Sequence, residues 1–333
     1  MDIGTGLFTC QRRPDDERSM DAIYDELLAL GRAIDQAGLA SAWVSEHHFT
    51  DDGYLPGTMP SLGALAAATD DVRLGTCIAL APLYDPVRLA EDAATVDLLS
   101  GGRFSLGASI GYRDAEFANF GVPKDERTAR TEDAVGVLRG AWSPGPLEYD
   151  AEFHDVAPDA TVTPKPAGDP PILLGGAAKP AVRRAARIAD GWIALSSLSI
   201  SGIEKRVADI ERVRAEEGLD GEFEILCIQH GFVDDSRESA WNAMQDGYFY
   251  LQRRYAEWYG DGPVDELDAD RRTELKEQAI FGPPAEVASD LEAYRDALGD
   301  DVHFIFRTYY PGIGTDAMIE CVQRLGDEVV PAF

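Results

Sequence analysis

Residues 72–112 read VRLGTCIALAPLYDPVRLAEDAATVDLLSGGRFSLGASIGY. An apolar run at 72–80 gives way to a helical pattern at 87–99, and a Gly-Gly pair then precedes a second apolar run at 103–108. Strand, helix and strand in one short stretch is the unit that builds parallel sheets. The unit recurs in both directions. Strand-like runs at 3–8 and 41–44 come before it, and others at 172–174, 192–195, 223–232 and 303–307 follow, which makes eight. Between them lie amphipathic segments at 20–37, 181–189, 203–217 and 285–298; in the first, Ile23, Leu27, Leu30 and Ile34 share one helical face. Eight such units predict an α/β chain closed as a (β/α)8 TIM barrel rather than a doubly wound open sheet. Residues 141–171, rich in Pro, Gly and Asp, and the highly charged 257–278 are too long for plain connections. Strands resume after each, so both are read as insertions within a single domain spanning 1–333.

The charge balance is lopsided, with 60 acidic residues against 30 basic ones and a formal net charge of −30. The acids are dispersed along the chain, and the basic set has few lysines (124, 165, 179, 205 and 276). A dispersed acidic surface is the pattern of a protein kept soluble in concentrated salt, where self-repulsion is screened, so a halophilic source is expected. The same field argues against nucleic acid or an anionic membrane as a partner. No apolar run reaches the roughly 20 residues of a membrane helix and no leader pattern opens the chain, so a cytoplasmic location is expected. Cys10, Cys77, Cys227 and Cys321 are far apart and form no CxxC pair, which points to free thiols rather than a zinc site or disulfide framework.

In a barrel the loops that follow the strands gather at one face, where reactive groups come from several strand ends. That face would collect residues 8–10, 46–49, 78–82, 109–112, 175–179, 196–197, His230 and 307–310. The set is mostly small or apolar with a few polar groups, which suits a pocket for a planar aromatic cofactor. Gly175, Gly176, Ala177 and Ala178, then Lys179 and Pro180, join a strand to a helix. Small residues there let backbone N–H groups and a helix N-terminus face an anion, although a tight turn with no ligand fits the pair of glycines equally. GASIGY at 107–112 lacks the GxGxxG spacing of a dinucleotide loop. His47 and His48 are adjacent, and in extended backbone adjacent side chains point to opposite faces, so no metal site is expected from them. A neutral imidazole at a strand end can act as a base or donor, though such a histidine is more often structural.

The stretches AIDQAGLASAWVSEHHFTDDG, residues 72–121, PPILLGGAAKPAVRRAARIADGW, IFGPPAEVASDL and the terminal DEVVPAF follow one another in an order and spacing that resembles the bacterial luciferase-like monooxygenase family. The resemblance covers nearly the whole chain. It implies a barrel that binds reduced FMN, or in a sister branch the deazaflavin F420, at the C-terminal face of the strands. It makes His47 the catalytic histidine, with Glu46 and His48 beside it. It places a non-prolyl cis peptide at Cys77–Ile78 behind the flavin ring, with Ser109 and Tyr112 also at the cofactor and its phosphate at residues 175–179. The chain departs from the luciferases at Ser109 (a reactive cysteine there), Ile110 (an arginine), Gly175 (an acidic residue) and Lys179 (an uncharged one). These changes weigh against light emission more than against oxidoreductase chemistry.

The resemblance therefore implies a flavin-dependent oxidoreductase, a two-component monooxygenase that receives FMNH2 from a separate flavin reductase and uses O2 on a small organic substrate. F420-dependent hydride transfer without oxygen is the first alternative. A non-catalytic flavin-binding homologue is the second. Pairing through helices near strands two and three implies a homodimer.

Overall fold

The computed structural model describes residues 1–157, 159–261 and 266–333; residue 158 of the first expected insertion and residues 262–265 of the second lie outside the described residues. In chain order the first half runs β1 (Asp2–Phe8), α1 (Met20–Gln36), β2 (Ser41–Val44), α2 (Thr58–Ala68), β3 (Arg73–Thr76), β4 (Ala79–Leu80), α3 (Pro86–Ser100), β5 (Phe104–Ser109), α4 (Asp114–Phe120) and α5 (Arg127–Trp142). The second half runs β6 (Ile172–Gly175), α6 (Lys179–Ile188), β7 (Gly191–Ala194), α7 (Ile200–Glu217), β8 (Glu224–Val233) and α8 (Arg237–Ala256). It ends with α9 (Ala269–Gln278), β9 (Ile280–Gly282), α10 (Pro284–Leu298), β10 (His303–Arg307) and α11 (Thr315–Arg324).

Parallel pairing links β10, β1, β2, β3, β5, β6, β7 and β8 in that order, and β8 pairs back to β10. The sheet is thus a closed eight-stranded parallel barrel ringed by helices, as the eight strand–helix units predict. The third expected strand differs in one respect. It is interrupted at the cis Cys77–Ile78 peptide, so that β3 covers its first half and β4, paired to β5, its second. The three-residue β9, which extends the end of β8, was not anticipated because so short a run carries no period. Residues 257–278 are not a featureless insertion either, since α9 lies within them. That helix buries only Leu275, so its sequence shows no apolar face to read.

Local chemistry accounts for the well-marked units. Asp85 caps α3 by accepting the Arg88 N–H, Pro86 opens the helix, and Gly101 closes it at φ 70°. Inside the barrel a compact apolar layer consists of Leu7, Trp43, Cys77, Leu173, Ile193, Leu226, Ile228 and Ile305. Trp43 needs room that Gly75 supplies, because a Cβ on Gly75 would stand 2.3 Å from the indole. Beneath this layer is a polar floor in which Arg73 pairs with Glu224 at 2.9 Å and donates to the Ser105 hydroxyl at 2.6 Å. The Trp43 N–H donates to Ser41 Oγ, and the Ser41 hydroxyl lies 2.6 Å from His303 Nε2. Burial, reinforced by the Arg73 charge, pushes the His303 pKa down to about 3, so the ring stays neutral and accepts the serine proton. With the floor sealed, the functional face is the opposite, C-terminal one.

Candidate active site

Beyond β2 the chain continues through Ser45, Glu46, His47 and His48 to Phe49, a non-glycine residue held at φ 53°. The turn sends the two histidines to different carboxylates. Glu46 is buried; its Oε1 lies 2.6 Å from His48 Nε2 and its Oε2 accepts the Leu80 N–H at 2.9 Å. His47 is also buried, and its Nδ1 lies 2.7 Å from Oε1 of Glu116. Glu116 stands in the first turn of α4, where a carboxylate is favoured, and is 0 % exposed. Its Oε1 also accepts the backbone N–H of His48 at 3.0 Å, while its Oε2 is buried with no partner. A carboxylate can only accept, so Nδ1 of His47 carries the proton and Nε2 is the basic nitrogen. Tyr112 places its hydroxyl 3.4 Å from that nitrogen. Among the described residues no three His, Cys, Asp or Glu side chains gather as a metal-ligand group.

Aromatic rings enclose His47. Tyr54 and Trp258 lie 4.8 and 4.7 Å away between ring centres, with Tyr112 and Tyr255 just beyond. Tyr259 stacks on Tyr112 at 4.2 Å, and the guanidinium groups of Arg113 and Arg254 lie over Trp258. Tyr255 ends α8 and Trp258 and Tyr259 lie in the single helical turn after it, while Tyr54 comes from the loop after β2 and Tyr112 from the loop after β5. Burial pushes the phenols of Tyr54 and Tyr112 up, so both remain protonated donors. A cavity of about 420 Å3 on this side of the barrel lies outside the cover, lined by Arg12, Arg13, Asp51, Asp52 and Arg254 among others, and does not reach His47. The aromatic rings of Tyr54, Tyr255 and Trp258 close over the histidine.

The third-strand break supplies a second wall. Cys77 donates its N–H to the Val44 carbonyl at 2.6 Å, and burial pushes its thiol up to about 12, so it is an apolar surface rather than a nucleophile. The Ile78 side chain packs where a Cβ on Gly175 would stand 2.2 Å away, so glycine at 175 makes this contact workable. Ser109 pairs in register with Leu80, whose N–H is the one held by Glu46, and this joins the wall to the histidine cluster. Past Gly175, Gly176 adopts φ 144° and its carbonyl accepts the Trp192 N–H at 2.8 Å. The Ala177 carbonyl accepts Nε of Arg206 at 2.7 Å, while Ala178 and Lys179 are exposed at the start of α6.

The residues named from sequence thus fall into two groups that meet. Glu46, His47 and Tyr112 converge in one cluster; Cys77, Ile78, Ser109 and Gly175 form the adjoining wall, continued outward by Gly176, Ala177, Ala178 and Lys179. The groups not anticipated are Glu116, the cover residues Tyr54, Tyr255 and Trp258, and Arg206 on α7. Glu116 is 69 positions from His47, a separation at which no local spacing rule operates. Arg307, in the 307–310 segment expected at this face, closes β10 (HFIFR) with a charge.

A model of the family described as luciferase-like monooxygenase matches residues 1–301. The oxygenase component of flavin-dependent trigonelline monooxygenase from Acinetobacter baylyi is 26% identical, over 98% of this chain and 94% of that protein. Among solved structures, monooxygenase RslO1 from Streptomyces bottropensis superposes with a TM-score of 0.88 at 24% identity over 99% of both chains. The oxygenating constituent of 3,6-diketocamphane monooxygenase from Pseudomonas putida, solved in complex with FMN, superposes at 0.78 with 19% identity over 99% of both chains.

Proposed function

The chain belongs to the luciferase-like monooxygenase family, and we propose that it is the oxygenase component of a two-component system that uses reduced FMN and O2 on a small organic substrate. The observation that carries this reading is His47: its Nδ1 is fixed by the buried Glu116 and its Nε2 is left basic beneath an aromatic cover, beside the Cys77–Ile78 and Gly175 wall.

The residues present suit a flavin. A planar ring has an apolar backing in Cys77, Ile78 and the small Ser109, with Tyr112 at its edge. A phosphate has the turn from Gly175 to Ala178, the N-terminus of α6, Lys179 and Arg206 within reach of the same turn. Arg206 and Lys179 are thus the cations for a phosphate where the luciferases use an arginine at position 110. When bound, reduced FMN supplies the electrons that activate oxygen.

The chain's own contribution follows from its geometry. His47 takes or returns a proton at Nε2, and the Glu116 carboxylate stabilises the imidazolium formed in between. Glu46 keeps the backbone at Leu80 and the ring of His48 in place, which fixes the loop that carries His47. Tyr54, Tyr255 and Trp258 exclude water from the reacting centre.

The dinucleotide spacing is missing from the chain's Gly-rich stretches, so a separate flavin reductase delivers FMNH2. We place the protein in the cytoplasm of a salt-adapted cell, as one domain that pairs with a second copy. Leu98 and Leu99, exposed near the end of α3, supply an apolar contact for that homodimer. No described helix is long and apolar enough to cross a membrane.

The test is reconstitution at high salt with a free flavin reductase, NADH, FMN and 18O2, screened against a panel of small organic compounds. One 18O atom in a product supports the reading. Oxidation of a substrate by added F420 with no oxygen incorporated would replace it with hydride transfer, and inactivity with either cofactor would favour a non-catalytic flavin-binding homologue.

A further inference from the structure

Arg307 ends β10 at the top of the barrel interior and is only 4 % exposed. Its Nε and Nη2 are both buried without a hydrogen-bond partner. Among the described residues no carboxylate lies within ion-pair distance of it; its neighbours are the phenols of Tyr54, Tyr255 and Tyr310. Guanidinium stays protonated at any working pH, so it cannot escape the cost of burial by losing its charge. The two vacant N–H groups form one edge of the fork, the edge that grips both oxygens of a carboxylate in parallel.

A third donor stands beside them. His230 is the register partner of Arg307 on β8, is 2 % exposed, and has Nδ1 buried and unpartnered. Its Nε2 faces the Gln252 amide nitrogen at 3.4 Å, which can only donate, so Nε2 accepts and Nδ1 carries the proton. Burial, with the Arg307 charge, holds the His230 pKa well below the ordinary histidine range, so this neutral tautomer is the working one. Tyr255 partners Arg307 and also lies beside His47, with ring centres 5.9 Å apart. The donors therefore adjoin the proton-handling centre, and the surroundings are aromatic on several sides.

We propose that Arg307 and His230 form a carboxylate-binding subsite, so that the substrate is a small, planar organic acid whose carboxylate is held by the Arg307 fork while its remainder extends toward His47. This names the substrate class and rests on the monooxygenase reading above. The same fork could instead take the anionic edge of a reduced flavin ring, and the experiment separates the two sources.

Binding of benzoate and of its neutral isostere benzamide is measured by calorimetry at high salt, without flavin, for the wild type, Arg307→Met and Arg307→Lys; reduced FMN is titrated separately under anaerobic conditions. The expected result is that benzoate binds the wild type and benzamide does not. Arg307→Met should weaken benzoate about 10- to 100-fold and leave reduced FMN within about threefold. Arg307→Lys keeps the charge and loses the fork, so it should also weaken benzoate and serves if the Met variant does not fold. Equal binding of the two probes, no binding of benzoate, or unchanged benzoate affinity in both variants would overturn the subsite. Loss of reduced FMN affinity with benzoate unaffected would assign the fork to the cofactor and overturn it as well. Failure of reduced FMN to bind while benzoate behaves as expected would sink the monooxygenase reading and leave the subsite standing.

Discussion

Replacing Glu116 by glutamine isolates the charge behind His47. The two side chains have the same shape, and the amide oxygen can stay where Oε1 now accepts from His47 Nδ1 at 2.7 Å and from the His48 N–H at 3.0 Å. The amide nitrogen then occupies the position of Oε2, which is buried and without a partner. What is lost is the negative charge beside an imidazole that, in the role proposed for His47, becomes cationic in mid-reaction. Two unit charges about 4 Å apart interact by about 4 kcal/mol at an effective dielectric of about 20. That corresponds to about 10²- to 10³-fold in a proton-transfer step. The stranded amide N–H group costs about 1–3 kcal/mol of stability. For a chain of 333 residues that lowers the melting temperature by only about 1–4 °C. The assay is kcat for the oxygenated product of the reconstituted system, read alongside reduced FMN affinity and a thermal melt. Glu116→Gln should melt close to the wild type, bind reduced FMN normally and lose kcat by at least about 100-fold. A folded variant with kcat within about twofold of wild type would remove the Glu116 charge from the mechanism.

His47→Ala should retain reduced FMN binding and lose kcat by about 10²- to 10⁴-fold; full turnover would exclude His47 as the proton carrier. His303 has a folded pKa depressed to about 3 from 6.5, so the unfolded chain binds its proton first as pH falls. Its stabilising contribution is present above pH 6.5 and is lost progressively down to about 3, at up to about 1.4 kcal/mol per pH unit. His303→Gln, which can still accept the Ser41 hydroxyl, should flatten the pH dependence of chemical denaturation by about that slope, and an unchanged slope would refute the assignment. With a net charge of −30, the protein should melt several degrees lower in about 0.1 M salt, where the Debye length is about 10 Å, than at about 1 M, where it is about 3 Å. A melting temperature independent of salt would contradict adaptation to concentrated salt.

The barrel was legible because most of the strands centre on apolar residues and the marked helices carry a buried stripe, as Ile23, Leu27, Leu30 and Ile34 do on α1. Among the elements not read, α9 had little to bury and β9 too few residues to show a period, while α5 and α8 bury residues that are not gathered into a clear apolar stripe. The site divided along the same line. His47, Glu46 and the turn at Gly175 lie on strand ends, where the barrel itself dictates position. Glu116 and Trp258 come from segments between the strands, Glu116 at the start of α4 and Trp258 in the turn after α8. Only the folded chain shows that these two segments close over the same histidine. Arg307 was visible as a charge at a strand end, but its significance depends on the absence of a partner, which only the packed interior reveals.

The proposed site for reduced FMN at the barrel mouth rests on the Cys77–Ile78 and Gly175 wall beside His47. Anaerobic titration at high salt with reduced FMN, oxidised FMN and F420 tests it, following the intrinsic tryptophan fluorescence and that of the cofactor. Saturable binding of reduced FMN at one site per chain, tighter than F420 and weakened by substitution of Gly175 with valine, is the predicted result. Binding of F420 alone, or of none of the three, would contradict it.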